Sequence, residues 1–493
     1  MALAAFVVLF YTVPNGATHW VLAASLGTFY ILFARALVVP DRIAPALPTY
    51  FSIEVLFLTF SYLIFFFPYQ LFLLGATDLS TSVFVPDTFA AGSNKAITLA
   101  TIGMLAFTIG YRLLRLGTHD AEADGDQFNS RRKEGLEAPS LFFQVMATTS
   151  SLALIALASV YLLAGWRSAE EGRYTGTTTQ AAGVDGIHML LVMFCMIVAA
   201  LWIYALAADL PKPPLLAVGL VAAVGWSVRL LVLGDRNAFA LIGLVIIGGY
   251  FIFVRRAPLV LLIGIFGVAM FVYQALEVLR TIPNWYEDIG KTWQLLPASQ
   301  AYQNLLSESS FNITTVTLRA TVQSFPEEYD FMYGVLKLQQ FAALIPFSGR
   351  LNLLGINSEE TKTSEILRDL MYNYRKETTP GTNIISDSYI DFGVIGVVVV
   401  LFAIGLFANA LRNYVVRDPH DTHRVVIYLL TVALFAQLPI LDIGFVMRIL
   451  CWTLIFIALV KFISGSLDPR SSFLTVSRGS RPPSPHGSRP VLN

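Results

Sequence analysis

Along most of this chain, apolar residues come in runs of about 18 to 25 with few charges between them. A helix rising about 1.5 Å per residue needs that length to cross about 30 Å of hydrocarbon. Read by this criterion, the pattern predicts about twelve spans: residues 2–13, 17–38, 51–74, 95–113, 140–163, 187–207, 214–233, 237–254, 257–278, 389–411, 425–441 and 445–463. The first and eleventh are short for a full crossing. Three segments break the pattern. Residues 117–139 are charged and read as a solvated linker, and the stretch after 463 ends in the Pro, Ser, Gly and Arg bias of disorder. Residues 279–388 keep helical periodicity in "SQAYQNLLSESSFNITTVTLRATVQSF", "YGVLKLQQFAALIPF" and "SEILRDLMYNY", with Pro326, Pro346, Gly349 and Pro380 as breakers. Loops of this length in compact proteins are usually functional. The expected organisation is therefore an N-terminal bundle over 1–278, a helical loop domain over 279–388, C-terminal spans over 389–463 and a disordered tail over 464–493.

Composition sharpens this into a class. The chain of 493 residues is 56% hydrophobic and 13% charged, with a mean hydropathy of +0.65; soluble proteins carry about 25% charged residues. The expected fold is all-α, a polytopic integral membrane protein. A formal net charge of zero suggests no nucleic-acid partner. Cys195 and Cys451 both lie in apolar runs, where packing accounts for them. The opening "MALAAFVVLFYTVPNG" lacks a basic leader and runs straight into another span, so it reads as a short first helix. With a cytoplasmic N-terminus, 18 of the 33 Lys and Arg face the cytoplasm; nine fall in the long loop and six in short outer segments. Basic residues favour the cytoplasmic side of short loops, so both termini are placed there and 279–388 outside.

The orientation collects the chemistry at one rim. Arg229, Asp235 and Arg236 lie at the 233/237 hairpin, Glu277 and Arg280 end the ninth span, and Arg319, Arg350, Arg368 and Arg375 lie in the long loop. Asp387 and Asp391 open the tenth span, and Asp442 and Arg448 flank the last hairpin. Ionisable groups at membrane ends are costly and tend to face a bundle interior or an aqueous cavity. Guanidinium grips phosphate oxygens bidentately, so Arg229, Arg236, Arg280, Arg319, Arg350 and Arg448 are candidates for a lipid-linked diphosphate; each could instead snorkel or pair locally. None of the six histidines falls in the long loop. A base working there is then a carboxylate: Asp387, Asp391, Glu277 or Asp235. Asp387 and Asp391 share a face if the stretch is helical, whereas Ser386, Asp387 and Ser388 could equally cap the helix that follows. No Walker loop, dinucleotide fingerprint or zinc motif is present, and no metal or cofactor is expected. Gly393 and Gly396 read as helix-packing glycines. Asn312 sits in a weak glycosylation sequon.

Four stretches carry a resemblance. "TNIISDSYIDFGVIGVVVVLF", which contains Asn383 and Tyr389, resembles the entry to a late span of the Wzy-type oligosaccharide repeat-unit (O-antigen or exopolysaccharide) polymerases. "YGVLKLQQFAALIPFSGRL" is similar to that family's Tyr-Gly, Ile-Pro and basic residue, although Arg350 is displaced by Phe-Ser-Gly. "SIEVLFLTFSYLIFFFPY" resembles its early span and "LGDRNAFALIG" its Gly-x-Arg hairpin. The resemblance implies a GT-C-like glycosyltransferase of the bacterial inner membrane. Such an enzyme moves a growing glycan from undecaprenyl diphosphate onto the next lipid-linked unit at the periplasmic face, beside a chain-length regulator and a flippase. It implies that Arg236 and Arg280 hold the diphosphate, that Asp387 is the base, and that Asn383 and Tyr389 meet the substrate.

Two rivals stay open. A secondary transporter of about twelve spans would show two similar halves and a midplane site; here nine spans precede the large loop and three follow, with most charges at the rim. An O-antigen ligase is expected to use a histidine in the long loop, which is histidine-free.

Overall fold

The computed structural model describes residues 1–44, 47–80, 87–113, 140–168, 183–233, 235–255, 257–279, 310–342, 363–372 and 381–467, and the single positions 85, 290, 294 and 344. It is a polytopic helical protein whose only described strands form one small ribbon. In chain order the elements are α1 (Ala2–Thr12), α2 (His19–Val38), the antiparallel strands β1 (Asp41–Ala44) and β2 (Leu47–Thr49), α3 (Ile53–Leu73), α4 (Ser93–Leu113), α5 (Leu141–Leu163), α6 (Val184–Ala207), α7 (Pro214–Val232), α8 (Arg236–Val254) and α9 (Leu259–Leu279). The inserted segment supplies α10 (Ser310–Ser324), α11 (Val335–Ala342) and α12 (Thr363–Tyr372), and the chain closes with α13 (Ile384–Val416), α14 (Thr422–Gln437) and α15 (Ile443–Leu467).

Among the described residues, ten helices are long and apolar enough to cross a membrane. They coincide with ten of the twelve predicted runs. The remaining two are apolar helices as well: α1 has 11 residues, and the described apolar part of α9 runs Leu259–Ala269. The predicted short eleventh span is a 19-residue helical stretch, Thr422–Ile440. The predicted span 389–411 lies inside the longer α13, which begins at Ile384.

The centre of the bundle is the α4–α13 pair. A Cβ at Gly110 would lie 2.2 Å from the Phe402 carbonyl, and one at Gly405 would lie 2.2 Å from the Phe107 carbonyl. The two backbones meet where each helix lacks a side chain, as expected where packing rather than water drives association. Phe57 stacks on Phe107 from α3 at 4.0 Å between centroids, and Ile97, Phe107, Val397 and Leu401 are fully buried in the shared core.

Two of the long helices are broken, and both breaks receive the inserted segment. In α3, Tyr62–Phe66 winds as a π-turn ahead of Pro68. Proline cannot donate to the carbonyl four residues back, so Ile64 O is left free; Thr315 Oγ1 of α10 donates to it. In α13, Phe392 (φ −141°, ψ 17°) and Gly393 (φ 62°, ψ −150°) leave helical geometry. The carbonyls of Ile390 and Asp391 then accept the backbone N–H groups of Met332 and Tyr333, both at 2.9 Å. Backbone groups at membrane depth need such partners, because lipid offers none. The inserted segment is therefore built into the bundle. From Thr314 through Val322 every residue of α10 is buried, with Thr315, Thr317 and Thr321 fully so.

The opposite end is closed by ion pairs. Arg412 Nε of α13 donates to Asp41 Oδ1 of β1 at 3.0 Å, and Tyr111 Oη of α4 donates to Asp41 Oδ2 at 2.6 Å. Beside them, Arg112 grips Glu54 of α3 with two bonds of 2.7 and 2.8 Å.

Candidate active site

The carboxylates predicted to share a face do so, and a lysine joins them. Asp387 and Asp391, one turn apart on α13, are both fully buried. Lys337 of α11 places its ammonium 2.7 Å from Asp387 Oδ2 and 3.5 Å from Asp391 Oδ2. Asp387 Oδ1 also accepts from Gln340 Nε2 at 2.8 Å and from the Thr363 hydroxyl of α12 at 2.6 Å. Asp391 works differently. Its carboxylate accepts the N–H groups of Gly334, Leu336 and Lys337 at 3.1, 3.2 and 3.1 Å. Those are orphan donors at the start of α11, and a negative charge there is further favoured by the helix dipole. One carboxylate thus fixes α11 against α13, and its neighbour takes the lysine that α11 delivers.

The capping role expected of Ser386, Asp387 or Ser388 belongs instead to Asn383. Its extended backbone (φ −144°, ψ 152°) precedes the helix, and its Oδ1 accepts Ser386 N at 2.7 Å. The helix starts earlier than its apolar run because "NIISDSY" is a polar seam facing α10. There Asn383 Nδ2 donates to Thr317 Oγ1 at 2.9 Å and Thr321 Oγ1 donates to Ser386 Oγ at 3.0 Å. Tyr389 Oη donates to Phe325 O at 3.3 Å. Asn383 and Tyr389, expected to meet substrate, here hold the inserted segment to α13.

The last hairpin completes the cluster. Asp442 caps α15 by accepting Phe445 N at 2.7 Å, and burial pushes its carboxyl above the usual carboxylate range, with the Asp387 charge adding to the effect. A Cβ at Gly444 would lie 3.2 Å from Gln340, so the hairpin abuts α11. Trp452 Nε1 donates to Leu344 O at 3.2 Å. Two buried polar atoms here, Arg448 Nε and Gln340 Oε1, make no hydrogen bond. A buried polar group left this way costs about 1–3 kcal/mol, so a ligand or water that bonded it would be favoured.

The "LGDR" hairpin forms a neighbouring group. Asp235 caps α8 by accepting Ala238 N at 3.1 Å, and its other oxygen lies 3.1 Å from His188 Nε2 of α6. Arg236 is 8% exposed. The Arg229 guanidinium lies over the rings of Trp226 and Tyr161, 4.6 and 5.3 Å from their centroids, so it engages a neighbouring helix through cation–π contact. Gln437 Nε2 donates to Asn237 O at 3.1 Å and ties this hairpin to the end of α14.

The other predicted residues fall elsewhere. Arg319 is 1% exposed, and its NH1 donates inward to Leu79 O at 2.9 Å. Arg280 and Arg350 lie outside the described residues, and of Glu277 only the helical backbone is described. Sequence reasoning missed Lys337, Gln340, Thr363 and His188. Lys337 sat within a stretch already singled out, but a lone lysine on an amphipathic helix reads as its solvent face. Among the described residues, no group of three or more His, Cys, Asp or Glu could hold a metal ion.

The geometry is thus a buried Lys–Asp–Asp cluster at one end of a membrane bundle, assembled by a segment docked into two broken helices. Comparison with known proteins adds the family. No curated protein and no solved structure matches the chain. The family model described as O-antigen polysaccharide polymerase Wzy matches residues 46–466, a stretch that spans both broken helices, the inserted segment and every residue of the cluster. The chain belongs to the O-antigen polysaccharide polymerase Wzy family, and is a multi-pass membrane polymerase of lipid-linked repeat units.

Proposed function

We propose that this protein is a GT-C-like glycosyltransferase of the bacterial inner membrane. It extends a glycan at the periplasmic face by moving the growing chain from undecaprenyl diphosphate onto the next lipid-linked unit. The observation that carries the reading is Asp387: a buried carboxylate whose Oδ1 already accepts an alcohol O–H, from Thr363 at 2.6 Å. A base that activates a sugar hydroxyl must accept that same bond. A sugar hydroxyl in the place of the Thr363 hydroxyl would make the same bond to Asp387. Lys337, 2.7 Å from Asp387 Oδ2, orients the carboxylate from the other side. The deprotonated hydroxyl attacks the anomeric carbon, the bond to the lipid diphosphate breaks, and the diphosphate leaves with the bonding pair.

The leaving group needs cations at the same end. Arg448, with a buried Nε that makes no hydrogen bond, joins Arg236 and Arg280 as candidates; Arg229 and Arg319 are engaged by aromatic rings and a carbonyl respectively. The excess of basic residues at the other end of the bundle supports the outward orientation. The chain-length regulator and flippase remain expected partners of the same process.

The test is incubation of purified protein with lipid-linked repeat unit and separation of products by size. A ladder is expected from wild type and none from Asp387→Asn, which keeps the shape and removes the base. Wild-type ladders from that variant would move the base to Asp391, Glu277 or Asp235, and no ladder from folded wild-type protein with the correct unit would sink the polymerase assignment.

A further inference from the structure

A second polar site lies at the same end of the bundle, away from the Lys337 cluster. A partly enclosed cleft of about 160 Å³ is lined by Asn15, Ala91, Gly92, Lys95, Gln323 and Glu327. Its walls are firmly built. The turn between α1 and α2 is pinned to the start of α4 by Gly16 N to Ala91 O at 2.7 Å, Asn94 N to Gly16 O at 2.9 Å and Asn94 Nδ2 to Pro14 O at 2.9 Å. On the far side, a Cβ at Gly92 would lie 2.7 Å from the Arg319 carbonyl, so α10 lies directly against the backbone there.

The lining selects a chemistry. Gln323 Oε1 is buried without a hydrogen-bond partner and needs a donor. Asn15 offers an amide that both donates and accepts. Lys95 and Glu327, 3.6 Å apart, add an ammonium and a carboxylate that balance in charge. One cation opposed by one anion makes a poor phosphate site. Two amides with a charge-balanced donor and acceptor suit alcohol groups, each of which donates and accepts at once. The volume is well below the ~300 Å³ or more of pockets for drug-sized ligands, and so fits one small ring rather than an oligosaccharide.

We propose that this cleft is a saccharide subsite, binding one hydroxyl-rich pyranose residue of the glycan. The identification of that ring as part of the repeat unit rests on the polymerase reading above. The cleft is linked to the reacting end through α10: Gln323 lies two residues beyond Thr321, whose hydroxyl bonds Ser386 next to Asp387. A sugar held in the cleft would position the chain relative to Asp387 without touching the diphosphate.

Two measurements on the full-length protein in nanodiscs test this. In the first, repeat-unit oligosaccharide released from its lipid is added while Lys95 is acylated, with the modified peptide quantified by mass spectrometry. The sugar is expected to slow acylation about fivefold in wild type, and Glu327→Ala to abolish this protection. In the second, Glu327→Ala and Asn15→Ala are each expected to raise KM for the lipid-linked unit about tenfold, equivalent to about 1.4 kcal/mol. Their kcat should stay within about twofold, as for lost uniform binding, and inhibition by undecaprenyl diphosphate should be unaltered. Unprotected Lys95 in wild type would overturn the proposal, as would a rise in KM accompanied by an equal weakening of inhibition by the lipid diphosphate. Protection without any product ladder would count against the polymerase reading and for the subsite; a ladder without protection would do the reverse.

Discussion

The two ends of the bundle both bury ion pairs, but they use them differently. At the end away from the inserted segment, Asp41, Arg412 and Tyr111 engage one another while Arg112 and Glu54 form a two-bond fork. These contacts join β1, α3, α4 and α13, elements that the chain itself brings together. At the other end, one ammonium serves two carboxylates, and two nearby polar atoms are left without partners. Its lysine arrives on an eight-residue helix from the inserted segment. Buried polar atoms without a hydrogen bond occur at both ends, Tyr428 Oη lying beside the Asp41–Arg412 pair, so the contrast rests on the ions: a carboxylate with its own cation fixes a structure, whereas one cation shared by two carboxylates is the kind of cluster that gathers at functional sites. The first end is a lock; the second is a site.

Breaking the lock should produce the largest loss of stability. Arg412→Leu removes the buried cation paired with Asp41, and removing one partner of a buried pair costs about 3–5 kcal/mol. Thermal unfolding in detergent is expected to show that loss, with the variant scarcely recoverable from membranes. Lys337→Met should cost less, about 1–3 kcal/mol, because Asp387 keeps Thr363 and Gln340 and Asp391 keeps three backbone donors. Its activity should nevertheless disappear in the ladder assay. If Lys337→Met were as destabilising as Arg412→Leu, the distinction between the ends would collapse.

Gly393→Ala probes the break that seats the segment. At φ 62° and ψ −150° only glycine is comfortable, and an added Cβ would sit 3.0 Å from the Phe331 ring. A cost of about 1–3 kcal/mol is expected, with activity falling more steeply than the melting temperature as α11 loses its seat.

The smallest effect concerns pH. Burial raises the Asp442 carboxyl above its usual range, so the folded protein holds this proton to a higher pH than the unfolded chain does. Its contribution to stability is full below the ordinary carboxylate pKa and is lost as pH rises through the elevated value. Asp442→Asn, which can still cap α15, should flatten this part of the profile in melting temperatures taken from mildly acidic to neutral pH. An unchanged slope would show that Asp442 does not titrate there.

Much of the fold was legible because hydrophobic runs report membrane thickness directly. The i, i+4 carboxylates were legible too, since helical spacing alone puts them on one face. What the pattern hid was polar residues buried against other polar residues. The threonines of "NITTVTLRATV" and the seam "NIISDSY" look like the edge of a soluble loop until each is seen to satisfy the other. Arg319 was expected at a phosphate and lies in the interior, because a guanidinium's partner can be a carbonyl 240 positions away in sequence. Gly393 reads as a packing glycine and Pro68 falls inside an unbroken apolar run, yet both sit at helix breaks, and nothing local says what fills a freed carbonyl.

The docking of α10 also constrains how the molecule is made. This helix packs on α3 and α4, which precede it by some 200 residues, and on α13, which follows it. As the chain leaves the ribosome, the early spans must insert with one flank still uncovered and Ile64 O still without its native partner. Only after α10 has been made and α13 has entered behind it can that flank be sealed. The early bundle therefore waits through the synthesis of more than half of the chain for its final neighbours. A truncated product ending before α13 would be an unfinished shell, a natural target for membrane quality-control proteases.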